Sequence, residues 1–408
     1  MSLLTSKTTT ELESKKLQLH WLLQITKAIN YNLPADQLYR IYETVLKDHF
    51  NVGKSALFVQ EQEWKKVMAY GMLAELEEIK PEKFLEEISS SKTKNIATPS
   101  WLKADESVIP VYHNERLLAY AIIGNIASND EFSAREIVPF IHTITNIIVV
   151  AIENKRLSKE AISQAAMKKE LELAAEMQEM LFPVELKGND LFDVDALYLP
   201  HQQVGGDYYD FISINNEEHI FCMADVSGKG MAAALLMSNF QANLHALIRT
   251  TKSLKELITE LNTCVNKIAK GEKYITFFIG IINFATRKVQ YVNAGHNPPV
   301  LHDGASTRLL DKGTTGLGMF DDLPFINEGE DSFEKGATVF LYTDGVTELE
   351  NDNGEFFGIE KLKEFIAANN DVLILKSFHK NLISVLDRFR QNASYNDDVT
   401  VLTLRSLS

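Results

Sequence analysis

Apolar positions recur every three or four residues between Glu131 and Leu181: Ile137, Ile141, Ile144, Ile148 and Ala151, then Leu171, Ala174, Met177 and Leu181. That period predicts one long helix, or two in tandem, in a stretch almost free of helix breakers until Pro183. Its middle, Lys155 to Lys169, is more polar. So long a stripe exceeds what one small domain can bury. A parallel helix from a second copy is the expected cover, which implies a homodimer. The alternative is packing against the following domain alone.

On the N-terminal side, residues 12–31 carry Leu17, Leu19, Leu22, Leu23, Ile25 and Ile29 at helical spacing, and a second helix follows Pro34 through Leu38, Ile41, Val45 and Leu46. The period then shortens. Ser55–Val59 and Lys66–Tyr70 read as strands, and Ser107–Tyr112 with Leu117–Ile123 as a hairpin turning at His113–Arg116. These elements predict an α+β domain over 12–155, with a helical connector over 131–181 overlapping its end. Past Pro183 a third region, 184–408, predicts helices near 230–249, 253–270, 359–369 and 371–390. A hairpin of 274–284 with 288–293 and a last strand at 399–404 accompany them. Hairpin-linked strands with paired helices imply antiparallel sheets covered by helices.

The candidate chemistry lies in this third region. Asp225 ends the apolar run His219–Ala224, and the turn Gly228-Lys229-Gly230 then leads into the helix-forming run Met231–Met237. Glycines there let the backbone approach a ligand closely, and a carboxylate on such a turn suits a hard cation. Asp207 and Asp210 stand upstream in Gly-Gly-Asp-Tyr-Tyr-Asp (205–210). Asp344 follows the strand-like Thr338–Thr343, and Asp397 and Asp398 open the last strand. A single Asp-Gly is usually a turn. Aspartates 207, 225, 344 and 397 at four strand ends form a pattern that points to a shared site. Carboxylates without sulfur or imidazole favour Mg or Mn over Zn.

Five segments resemble the SpoIIE/RsbU-type serine phosphatases, the bacterial branch of the metal-dependent protein phosphatases related to protein phosphatase 2C. They are Gly-Gly-Asp-Tyr-Tyr-Asp-Phe (205–211), Ala-Asp-Val-Ser-Gly-Lys-Gly-Met-Ala-Ala-Ala-Leu (224–235), Tyr-Val-Asn-Ala-Gly-His-Asn-Pro-Pro (291–299), Leu-Tyr-Thr-Asp-Gly-Val-Thr-Glu (341–348) and Asn-Asp-Asp-Val-Thr-Val-Leu (396–402). The resemblance covers about residues 170–408. It departs at Thr315-Gly316-Leu317-Gly318, where such proteins often have Pro-Leu-Gly. It implies a β-sandwich with helices on both outer faces, a metal site at one end and two Mn or Mg ions. In that reading Asp207 and Asp225 bridge or flank the ions, the Val226 backbone carbonyl adds a ligand, and Asp344 and Asp397 complete the set. Asp398 competes with Asp397 for the last place, Asp210 has a supporting role, Gly206 is a possible contributor, and Lys229 meets the substrate phosphate or the protein. The implied substrate is a phosphoserine or phosphothreonine protein, commonly a small anti-sigma-factor antagonist. By order and length the N-terminal domain is similar to a GAF sensor, with PAS as runner-up. It would take a small-molecule or protein input, or act only in dimerisation.

Composition narrows the alternatives. The 408 residues carry a formal charge of −15, which argues against nucleic-acid or anionic-membrane binding. Cys222 and Cys264 show no metal or redox spacing, which fits reduced thiols and a cytoplasmic protein. Neither a signal-peptide core nor an uninterrupted apolar run of spanning length is evident, so no membrane span is expected. Gly228-Lys229-Gly230 lacks the spacing and hydroxyl of a phosphate-binding loop, and Ser227 lacks the glycine of a nucleophile elbow. Leu349 to Glu360 has an EF-hand's register at Asn351, Asn353, Gly354 and Glu360, but Leu349 stands at position one and no helix enters. His296 has no second histidine at ligand spacing and reads as structural. The alternative functions are a pseudophosphatase scaffold, which would need a lost ligand, and a metal-dependent nucleotide hydrolase, for which no base or phosphate-loop signature exists.

Overall fold

The computed structural model describes residues 2–61, 63–71, 106–113, 116–126, 134–183, 185–201, 203–372 and 374–407. Two compact units divide it, Met1–Ala165 and Ala166–Ser408.

The first unit holds α1 (Ser2–Asn30), α2 (Ala35–Thr44) with a π-helical turn at Val45–His49, and strands β1 (Val52–Gln60), β2 (Trp64–Tyr70), β3 (Ser107–His113) and β4 (Arg116–Ile126). They form an antiparallel sheet in the order β2-β1-β4-β3. The predicted β3–β4 hairpin is present; Asn114 and Glu115 of its turn lie outside the described residues. Leu38, Tyr42, Val45 and Leu46 pack with Leu57, Val111 and Ile123 of the sheet. The same core takes Ile137, Ile141, Ile144 and Ile148 from α3 (Ala134–Glu179), one continuous helix where the periodicity allowed one or two in tandem. Residues 131–133 of that expected helix lie outside the described residues, and Pro139 sits within its second turn. Ile137–Glu179 is apolar and long enough to cross a membrane by length and composition alone. Ile137, Ile141, Ile144 and Ile148 of this helix fill the core of the unit, which is the behaviour of a core helix over that part.

In the second unit two sheets stack. One runs β11 (Thr307–Leu309), β10 (Val300–His302), β14 (Thr338–Tyr342), β15 (Val399–Ser406), β5 (Phe192–Leu199). The other runs β12 (Gly313–Thr314), β9 (Lys288–Ala294), β8 (Ile275–Asn283), β7 (Glu218–Val226), β6 (Tyr208–Ser213), with β13 (Gly329–Ser332) also on β9. Pairing is antiparallel except β12 with β9.

Strand parity explains the layers, because alternate side chains face opposite sides of a sheet. Phe221 and Met223 of β7 and Phe278 of β8 meet Val339 and Leu341 of β14 and Leu402 and Leu404 of β15 between the sheets. Their neighbours Ile220, Cys222 and Ala224 pack outward beneath α4 (Met231–Ile248) and α5 (Leu254–Ala269). Phe340, Val399 and Val401 pack outward beneath α7 (Gly358–Ala368) and α8 (Leu375–Arg390). The unit is therefore the expected sandwich with helices on both faces. Cys222 is a buried free thiol on the helix side of β7.

Candidate active site

The same parity brings the acidic residues together. Asp225 shares its side of β7 with Phe221 and Met223, so it faces between the sheets at the end of the strand. Thr343 continues the inward set of β14, and Thr400 that of β15. Asp207, just before β6, meets both: Thr343 Oγ1 donates to Asp207 Oδ2 at 2.9 Å, and Thr400 Oγ1 donates to the same oxygen. The Thr400 N–H donates to Thr343 Oγ1 at 3.1 Å, locking the two threonines to each other. Asp207 is thus buried and oriented by two hydroxyls on neighbouring strands.

Asp344 opens α6 (Asp344–Thr347), a single turn directly after β14. Asp397 and Asp398 precede β15 and part company. The Asp398 carboxylate is buried and accepts the His201 N–H at 2.7 Å, and it lies so close to Gly205 that a Cβ there would collide with it. Asp397 faces the cleft, where its carboxylate takes the Lys229 ammonium at 2.7 Å. Gly206 permits another close approach: a Cβ on it would lie 2.9 Å from the Val226 carbonyl oxygen and 3.3 Å from Asp225 Oδ1. The resulting cleft, about 180 Å³, is lined by Gly206, Asp225, Val226, Lys229, Asp344, Asp397 and Asp398, with His201 and Tyr274 at its walls.

Burial raises the Asp207 carboxyl well above its usual range, and the charge on Asp225 adds to it. Asp225 is pushed up to about 7 by burial first, then by the charges of Asp344, Asp397 and Asp398. Asp344 is raised by burial and by Asp397. Crowded carboxylates of this kind resist ionising together unless cations share the space. Among the described residues no three Asp, Glu, His or Cys side chains close on one point as a finished shell. The fit to a hard divalent cation rests on an all-oxygen donor set, an excess of buried negative charge and the close backbone approach at Gly206.

Asp210 sits elsewhere. It shares the parity of Tyr208, faces α4, and its Oδ2 takes Tyr208 Oη and His245 Nε2, both at 2.6 Å. Ser227 is occupied structurally, its hydroxyl oxygen accepting the Tyr274 N–H at 2.9 Å. His296 is buried with Nδ1 3.0 Å from Thr276 Oγ1, and burial pushes its pKa down to about 4.

Three participants escaped the sequence reading. Thr343 and Thr400 lie inside quoted motifs, but strand parity was the signal that could have singled them out. The third is Gln178, near the end of α3. It is buried, its Nε2 donates to the Gly205 carbonyl at 2.7 Å, and its Oε1 accepts the Gly205 N–H at 3.1 Å. Met177 of the predicted stripe is 70% exposed within one copy, and the residues of this segment that pack within it are Leu171, Ala174, Gln178 and Phe182. The signal was a polar residue at helical spacing from Leu171, Ala174 and Leu181.

Residues 215–406 match the family described as stage II sporulation protein E (SpoIIE). Phosphoserine phosphatase RsbU of Bacillus subtilis is 29% identical over 246 residues, 59% of this chain and 71% of that protein. Phosphoserine phosphatase RsbP of the same organism is 30% identical over 184 residues, 44% of this chain and 45% of that protein. Among solved structures, the SiaA-PP2C domain of Pseudomonas aeruginosa is similar with a TM-score of 0.54 and 18% identity, over 60% of this chain and 99% of that one, which bears on the fold. These similarities support a SpoIIE/RsbU-type protein serine/threonine phosphatase in the C-terminal unit, whose fold is similar to that of a protein phosphatase 2C domain.

Proposed function

We propose that the chain removes phosphate from phosphoserine or phosphothreonine of a small regulatory protein, such as an anti-sigma-factor antagonist, using two Mg or Mn ions. The observation that carries this reading is the convergence of Asp207, Asp225 and Asp344 beside Asp397 at one end of the sandwich, with their pKa values raised by burial and mutual charge. Asp207, Asp225, Asp344, Asp397 and the Val226 carbonyl would hold the ions. When bound, the ions supply Lewis acidity toward the phosphoryl oxygens and make a water nucleophilic near neutral pH.

The chain's own residues do the positioning. Thr343 and Thr400 aim Asp207, and Gly205 and Gly206 bring backbone close to Asp398, Asp225 and Val226. Asp398 is buried against the His201 loop while Asp397 is the more exposed to the cleft, which supports Asp397 as the ligand. Ser227 Oγ accepts the Tyr274 N–H and Cys222 faces the helices, so neither has the setting of an activated nucleophile. Direct attack by an activated water suits that arrangement.

The N-terminal unit is read as a GAF-like sensor or dimerisation domain over about 12–155, the connector as 131–181 and the catalytic domain as 184–408, in a cytoplasmic homodimer. Ile162, Leu173, Met177 and Met180 of α3 are exposed large apolar residues, and a second copy is the cover that suits them. The test of the function is phosphate release from candidate phosphoproteins with and without Mn²⁺. Turnover of free nucleotides in preference to phosphoproteins would contradict it.

A further inference from the structure

We propose that Lys229 is an internal counterion: its ammonium occupies Asp397 and holds the 396–398 turn closed until a divalent cation displaces it. This rests on the metal-dependent reading above. Lys229 stands between Gly228 and Gly230, whose φ values of 87° and 75° belong to the left-handed region that glycine favours. That turn projects the lysine across the cleft to a segment 167 residues later in the chain. There Nζ makes two contacts, 2.7 Å to Asp397 Oδ2 and 2.8 Å to the Asn396 carbonyl. The other oxygen of Asp397 accepts the Asp398 N–H at 2.9 Å, so each carboxylate oxygen has a partner.

Both partners are partly exposed, 48% and 39% for the side chains. A pair in that setting is weak and salt-sensitive. It is strong enough to shield Asp397 from the neighbouring Asp344 and Asp225, and weak enough for a divalent ion with several oxygen ligands to replace it. Lysine suits the part, because its compact charge rides on a flexible four-carbon stem and can leave without moving the backbone. An ammonium and a divalent ion beside the same carboxylate repel each other, so loading the site weakens the Lys229 contact.

The proposal predicts that removing the ammonium tightens metal binding, opposite to what loss of a merely structural lysine would do. The experiment is calorimetric titration of Mn²⁺ into the full chain as wild type, Lys229→Met and Lys229→Arg, at low and high salt. Circular dichroism checks that each variant is folded. The expected result is Lys229→Met binding Mn²⁺ about fivefold tighter than wild type at low salt, the gap narrowing at high salt, with Lys229→Arg close to wild type. Lys229→Met binding no tighter than a Mn²⁺-binding wild type overturns the counterion role alone. A wild type that binds no Mn²⁺ overturns the metal-dependent reading and this inference with it.

Discussion

Gln178 and Gly205 hold each other by two hydrogen bonds, one in each direction, at 2.7 and 3.1 Å. The glutamine is on the last turns of α3, and the glycine opens the segment that leads to Asp207. The position of the helix end is therefore coupled to that of the acidic segment carrying Asp207. A small shift of a packed helix can carry a signal through such a contact. Gln178→Leu keeps the volume and loses both bonds, leaving buried backbone groups of Gly205 without partners at a cost of about 1–3 kcal/mol. We expect phosphatase activity to fall at least about tenfold, a barrier change of the same order. Rates at saturating Mn²⁺, compared with thermal melting, check it; near-normal activity would make Gln178 a packing residue only.

Asp225→Asn and Asp344→Asn test the cluster from two sides. Each should lower activity at least about a hundredfold, because the proposed two-ion site would lose charge balance and geometry together. Each should also raise the melting temperature in chelator, since a buried like charge is removed from a repelling group. Melting curves with and without chelator read the second effect independently of turnover.

His296 predicts a pH dependence of stability. Burial holds its folded pKa near 4 against an ordinary 6.5, so the unfolded chain binds the proton more readily. Stability is then fully present above about pH 6.5, falls as the pH drops toward 4, and levels off below. Between pH 7 and 5 this one group accounts for a loss of about 2 kcal/mol. Urea midpoints of wild type and His296→Gln across that range measure it, the variant showing the shallower fall.

The exposed face of α3 predicts its own effect. Leu173→Ser with Met177→Ser should shift the full chain from dimer toward monomer in light scattering and leave melting of the catalytic unit nearly unchanged, because both side chains are exposed within one copy. Chains starting near residue 160 and near residue 184 extend the comparison to activity. Equal rates in all three, with a monomeric full chain, would reduce the connector to a tether.

Much of this arrangement was legible in the residues. The run 219–224, the glycine turn and the run from Met231 announced a strand, a loop and a helix because each is long enough to carry a period. The strands between 300 and 332 did not announce themselves, being two to four residues long. Asp207, Asp225, Asp344 and Asp397 could be picked out as candidates because they sit in motifs beside glycines and strand ends. Thr343 and Thr400 were not singled out, because which strand face is inward depends on how two sheets stack. Gln178 was missed for a related reason: a hydrophobic period assigns the packed face by apolarity, and here that face is centred on an amide that serves Gly205.

The most direct measurement is phosphate release from a phosphoserine protein substrate by the full chain, followed as Mn²⁺ or Mg²⁺ is added and then removed with excess chelator. The account predicts turnover that appears with the ion, vanishes with the chelator, returns on re-addition and is selective for phosphoserine or phosphothreonine over phosphotyrosine. Undiminished turnover in excess chelator would contradict it.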